Sequence, residues 1–149
     1  NKHIKSKVKS LKMILEGKKH SDERGIITYN NDFDASQIKR IYTIENHSTK
    51  FIRGWQGHKI EQRWFSAIKG SFKISVISVD YFENPSKNLE IEHYILNDEN
   101  LSYLHIPQGR ITAIQALENN SKLLVLADYA LGEVQDEYRF PIDYFENRN

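Results

Sequence analysis

The sequence predicts an all-β fold of the sandwich or barrel class, to which the antiparallel double-sheet jelly rolls belong. Three observations predict it. β-Branched and aromatic residues gather in short runs, and Asn, Asp, Gly, Pro and Ser clusters separate them. Seven or more such runs recur at roughly ten-residue spacing, as in sandwiches and barrels. Helical periodicity is weak throughout.

Taken in order, the first segment is ambiguous. Residues 4–16 carry Ile4, Val8, Leu11, Ile14 and Leu15, a spacing that suits a short helix or an edge strand. Residues 39–44 (KRIYTI) form the first clear strand. Residues 63–68 and 72–79 follow, joined by Lys69-Gly70-Ser71, a tight-turn signal. In the second run Phe72, Ile74 and Val76 alternate with Lys73 and Ser75, and then the phase slips to Ile77 and Val79. A bulge, or burial on both faces, accounts for the slip. Further strands are expected at 89–96, 101–106, 111–117 and 122–128. Residues 131–145 are short and interrupted by Pro141.

Composition narrows the function. The 149 residues fit one domain spanning 1–149, with a real core. Lys plus Arg number 21 against 20 Asp plus Glu, a formal net charge of +1. No basic excess marks a nucleic-acid partner or an anionic membrane. No apolar run approaches the roughly 20 residues that span a bilayer, and the basic start lacks the apolar core of a signal peptide. With no Cys, thiolate metal sites, disulfides and thiol catalysis are excluded. A soluble cytoplasmic protein is expected.

The densest polar and aromatic cluster is residues 53–65 (RGWQGHKIEQRWF). Alternation puts Gln56, His58, Ile60 and Gln62 on one face if the strand is continuous. His58 is a residue type that exchanges protons near neutral pH. Arg53 offers a permanent charge for an enolate oxygen or a phosphate. The stretch also reads as a solvated strand end packing Trp55 and Trp64. His105, in an apolar run, reads as a satisfied core or pocket-edge residue. His93 reads as exposed, and His3, His20 and His47 lie in polar stretches.

Four motifs carry a resemblance: Asp22-Glu23-Arg24-Gly25, Ile38-Lys39-Arg40-Ile41-Tyr42, Arg53-Gly54 with His58-Lys59, and Glu61-Gln62. In this order they resemble the sugar-nucleotide cupins of the WxcM-like type, the dTDP-4-keto-6-deoxyhexose 3,4-ketoisomerases. More distantly the chain is similar to the dTDP-4-dehydrorhamnose 3,5-epimerases, through Arg53-Gly54 and Ile106-Pro107-Gln108-Gly109. The resemblance runs from about Asp22 to Tyr129. It implies a double-stranded β-helix, the cupin jelly roll, with short N- and C-terminal extensions. It also implies a homodimer, a nucleotide-sugar substrate and a role in deoxysugar supply for surface polysaccharide.

Site residues follow from the same resemblance. It implies that His58 takes a proton at C3 of a 4-keto sugar, that His58 or Tyr129 returns one at C4, and that Arg53 stabilises the enediolate. Arg24 and Arg53 would hold the phosphates, with Gln56, Lys59, Gln62 and Tyr42 against the substrate. Gln56 stands where the epimerases carry their catalytic His, and glutamine cannot take up a proton. Metal-dependent cupins present three imidazoles and an acid; the corresponding positions here are Gln56, His58, Gln62 or Arg63, and Thr112. No catalytic metal and no cofactor are therefore expected. A non-catalytic cupin binding a nucleotide sugar or glycan, and a 3,5-epimerase-like enzyme with an altered base, remain as alternatives.

Overall fold

A computed structural model describes residues 13–146. Its strands are β1 (Ile14–Leu15), β2 (Lys18–Asp22), β3 (Gly25–Tyr29), β4 (Arg40–Ile44), β5 (Ile52–His58) and β6 (Arg63–Lys69). They continue as β7 (Ser71–Ser78), β8 (Glu92–Asn97), β9 (Tyr103–Ile106), β10 (Arg110–Ala116), β11 (Lys122–Ala127) and β12 (Glu137–Arg139). One five-stranded sheet has the order β1-β9-β6-β11-β4, and the other β12-β5-β10-β7-β8. All pairings within them are antiparallel. This is the expected jelly roll of the cupins.

The inner faces follow the period of two. Phe65, Leu104 and Val125 of the first sheet meet Phe72, Ile74, Tyr94 and Ile114 of the second. Each such side chain contributes roughly 1.5–3 kcal/mol by leaving water. The turn at Gly70 has φ +74°, which explains the glycine between β6 and β7. The phase slip in β7 is not a bulge, since its register with β10 runs unbroken. Ile77 points to the outer face, where it packs with Trp55, Ile111 and Ala113 under Phe82 and Phe145. The second sheet is thus apolar on both faces at that end. The C-terminal segment supplies the cover.

One open reading is decided and one expectation changes. Ile14–Leu15 pairs with β9 as a strand, so the edge-strand reading holds there; the rest of the 4–16 segment up to residue 12 lies outside the described residues. β8 begins at Glu92, because Leu89 and Ile91 are spent on the outer cluster before the strand starts. The hairpin β2–β3 was not foreseen as strands. Among the described residues it pairs only with itself, and it leaves Ile26 and Ile27 at 64% and 58% exposure. Among the described residues no helix is long and apolar enough to cross a membrane.

Candidate active site

One end of the barrel opens into a solvent-connected cleft of about 520 Å³, with polar side chains from both sheets in its lining. β5 and β10 supply one wall. Arg110 pairs with His58 and Thr112 with Gln56, but Ile114 pairs with Arg53. β5 therefore carries one extra residue around Gly54-Trp55. This bulge turns Arg53 to the same face as Gln56 and His58, which strict alternation forbids. Gly57 sits between them because a Cβ there would lie 2.0 Å from the Arg110 carbonyl oxygen. Tyr42 of β4 and Arg63 of β6 close the opposite wall.

His58 is buried, and its partners fix its protonation pattern. Nε2 lies 3.0 Å from Nη2 of Arg63. A guanidinium has donors only, so the network assigns Nε2 as the acceptor and places the hydrogen of the neutral ring on Nδ1. That Nδ1–H faces Asp136 Oδ1 at 3.1 Å, with Glu61 Oε2 at 3.5 Å. The other oxygen of Asp136 accepts from the backbone N–H groups of Ile60 and Glu61 at 2.7 and 2.8 Å. Burial alone would push the Asp136 carboxyl up, but the Glu61 N–H, His58 and the Ile60 N–H outweigh it and hold it down at about 2. Asp136 reaches this place because β12 pairs with the end of β5, Glu137 opposite His58.

Arg63 is the hub. Its Nε donates to Tyr42 Oη at 3.3 Å, and Nη1 donates to Glu61 Oε1 at 2.9 Å and to the Gln62 carbonyl at 3.2 Å. Burial works against its charge, but Tyr42 and Glu61 more than compensate and its pKa is raised. Its place in β6 is opposite Ala127 of β11, a side chain small enough to leave room for a guanidinium. His58, Glu61 and Asp136 each offer a ligand atom within 4.8 Å of the others, an arrangement able to hold a metal ion. The Arg63 cation, 2.9 Å from one of those carboxylates and 3.0 Å from the imidazole, opposes a second cation there.

The remaining candidates fall elsewhere. β5 ends at His58, so Ile60 and Gln62 do not share its face. Gln62 turns away from the cleft: its Nε2 donates to Asp128 Oδ2 at 3.1 Å, and His105 Nε2 meets its Oε1 at 2.6 Å. His105 stacks on Trp64, ring centroids 4.8 Å apart, and burial followed by the Arg110 charge lowers its pKa, with Asp128 opposing. It is a satisfied structural histidine. Lys59 is exposed, as neighbours of an inward residue are. Tyr129 lies outside the cleft lining, its ring 6.0 Å beneath the Lys39 ammonium. Arg24 is on the exposed β2–β3 turn, paired with Asp22 at 2.8 Å. Of the residues singled out from sequence, Tyr42, Arg53, Gln56 and His58 come together. Glu61, Arg63, Arg110, Thr112 and Asp136 complete the site.

With the fold and cleft in view, the comparisons are consistent. The model of the WxcM-like, C-terminal family (FdtA) matches residues 6–148, and the chain belongs to that family. A 3,4-ketoisomerase from Helicobacter canadensis is 26% identical, with 88% of this chain and 92% of that one covered at a TM-score of 0.66. The 3,4-ketoisomerase QdtA from Thermoanaerobacterium thermosaccharolyticum, solved with TDP-4-keto-6-deoxyglucose, is 23% identical, with 88% of each chain covered at a TM-score of 0.66. The rmlC epimerase of Mycobacterium tuberculosis is 14% identical, with 85% of this chain and 67% of that one covered at 0.68. No curated protein matches the chain in sequence.

Proposed function

We propose that this protein is a sugar-nucleotide isomerase that moves the keto group of a dTDP-4-keto-6-deoxyhexose from C4 to C3. The observation that carries the proposal is the cleft, where Tyr42, His58 and Glu61 surround the buried Arg63 and Arg53 and Arg110 complete the lining. The reaction needs a base at C3, a donor to the growing enediolate oxygen, and a proton returned at C4. The C3–H electron pair becomes the C3–C4 double bond, and the carbonyl pair moves to the C4 oxygen. The C3 hydroxyl then loses its proton as the C4 oxygen gains one. Carbon 4 takes a proton and C3 becomes the ketone, so nothing is oxidised or reduced overall.

His58 is the base in this reading, with Asp136 holding the ring and offsetting the charge it gains. A positioned base contributes about 10²–10⁴-fold. Tyr42, inside the cleft, takes the second proton-transfer role in place of Tyr129. Arg53 is exposed and suits the diphosphate, as does Arg110. The product would feed deoxysugar supply for surface polysaccharide. The chain acts as a homodimer in this proposal, because a two-stranded hairpin with exposed Ile26 and Ile27 needs a further surface to cover it.

The test is proton exchange. The protein is incubated with dTDP-4-keto-6-deoxyglucose in deuterated water and the sugar spectrum followed by NMR. Deuterium at C4 with a 3-keto product is expected, and His58→Asn should abolish it while TDP still binds. Deuterium at C3 and C5 would replace the proposal with an epimerase. Binding without exchange would replace it with a nucleotide-sugar binding cupin, a reading favoured by Gln56 and by the engagement of both His58 nitrogens.

A further inference from the structure

We infer that Arg63, rather than Arg53, neutralises the enediolate oxygen, and that its turn toward the substrate uncovers the lone pair with which His58 takes the C3 proton. The inference rests on the isomerase reading above and assigns a residue to its central step.

Donor counting leads to it. Arg63 carries five N–H groups. Four are engaged: one by Tyr42 Oη, two through Nη1 by Glu61 and the Gln62 carbonyl, and one through Nη2 by His58 Nε2. One N–H on Nη2 is left for a ligand, on a side chain 9% exposed that lines the cleft. A donor held there acts in a low dielectric, where its attraction for a developing oxyanion is stronger than in water. Arg53 is exposed over the Phe51 ring, 5.9 Å from its centroid, where solvent screens it.

The same contacts govern the base. In the free protein His58 Nε2 already accepts from Arg63, so it cannot receive a carbon-bound proton. A ketone oxygen near Nη2 competes for those donors. As Nη2 shifts to that oxygen, Nε2 is released beside the carbon to be deprotonated. The ring then becomes an imidazolium whose Nδ1–H already faces the Asp136 and Glu61 carboxylates. Electrophile and base are thereby engaged together, and an empty cleft keeps the base covered.

The experiment compares wild type, Arg63→Gln, Arg63→Lys and Arg53→Gln in the deuterium-exchange assay, with TDP affinity measured by calorimetry. Arg63→Gln should lower kcat by about 10²–10³-fold and leave TDP affinity within about threefold. Arg63→Lys, which keeps the charge but loses the fork, should recover only part of the rate. Arg53→Gln should raise KM by a larger factor than it lowers kcat. A second measurement needs no variant: the His58 Nε2 resonance of ¹⁵N-labelled wild type should move when TDP-4-keto-6-deoxyglucose binds and stay in place with TDP alone. Full exchange by Arg63→Gln, or an unmoved Nε2 resonance under turnover conditions, overturns the inference and leaves the isomerase reading standing. A wild-type protein that exchanges no deuterium overturns both.

Discussion

Replacing Asp136 by Asn tests the electrostatic frame of the site directly. The carboxylate accepts three hydrogen bonds, from His58 and from the Ile60 and Glu61 amides. Its folded-state value of about 2 lies below the ordinary 3.8. At about 1.36 kcal/mol per unit, and with allowance for solvent screening, that depression is worth about 1–2 kcal/mol. Because the folded value is depressed, this stability is complete above about pH 4 and is lost as the pH falls toward 2. About half should be gone at pH 3. An Asn amide can serve the two backbone donors with its oxygen, but its NH₂ then faces the Nδ1–H of His58. Flipping that tautomer would set Nε2–H against Arg63. Urea unfolding of wild type and Asp136→Asn at pH 7, 5, 4 and 3 is the assay. The expected gap of about 1–2 kcal/mol at pH 7 should narrow steadily below pH 4. A gap that is constant across that range would refute the account of Asp136 as an ionised, hydrogen-bonded partner.

Other outcomes follow from named contacts. Gly57→Ala should cost at least about 2 kcal/mol in thermal unfolding, as overpacking does, since its Cβ would overlap the Arg110 carbonyl oxygen and Ile111; an unshifted melting temperature would show that β5 and β10 are not packed as described. Leu104→Ala, at a fully buried inner position, should destabilise by about 2–5 kcal/mol in the same measurement. Ile26→Asp with Ile27→Asp should convert a dimer to a monomer in sedimentation without lowering the melting temperature of the barrel; an unchanged sedimentation coefficient would remove the hairpin from the interface. Gln56→His should add a limb near pH 6–7 to the pH profile of turnover, because Gln56 lines the cleft; a superimposable profile would place that side chain away from the reacting atoms.

The jelly roll was legible because its strands announce themselves locally. Arg63–Lys69, Ser71–Ser78, Arg110–Ala116 and Lys122–Ala127 each match an apolar run to within two residues at either end. The doubly apolar end of β7 showed in the phase shift at Ile77. The hairpin β2–β3 was missed because its apolar residues are exposed, so burial imposes no alternation on it. Half of the site was visible for a similar reason: Arg53, Gln56 and His58 lie on one short stretch. Asp136 was not, since it meets His58 across 78 residues through the pairing of β12. Arg63 was named from the sequence only as a residue standing where metal-dependent cupins carry an acid. Only the placement of Tyr42 and Glu61 around it shows it as the hub of the network, and no spacing rule encodes that. Tyr129 illustrates the converse: a plausible residue type at the end of β11, with nothing in the pattern to say that its ring would leave the cleft.

The C-terminal segment joins two tasks that could have been separate. Asp136 braces His58, while Tyr138, Phe140 and Phe145 roof the outer face around Trp55. On a growing chain, β5 to β11 are synthesised before this segment. Until it docks, Trp55 and Ile111 are covered only in part, by Phe82, and His58 faces one carboxylate, Glu61, instead of two. Docking of this one segment therefore closes the apolar outer face and brings the Asp136 carboxylate to His58 together. For quality control in the cell this is a useful coupling: a molecule whose apolar roof is open, and so visible to chaperones and proteases, is also one in which His58 has not yet met Asp136.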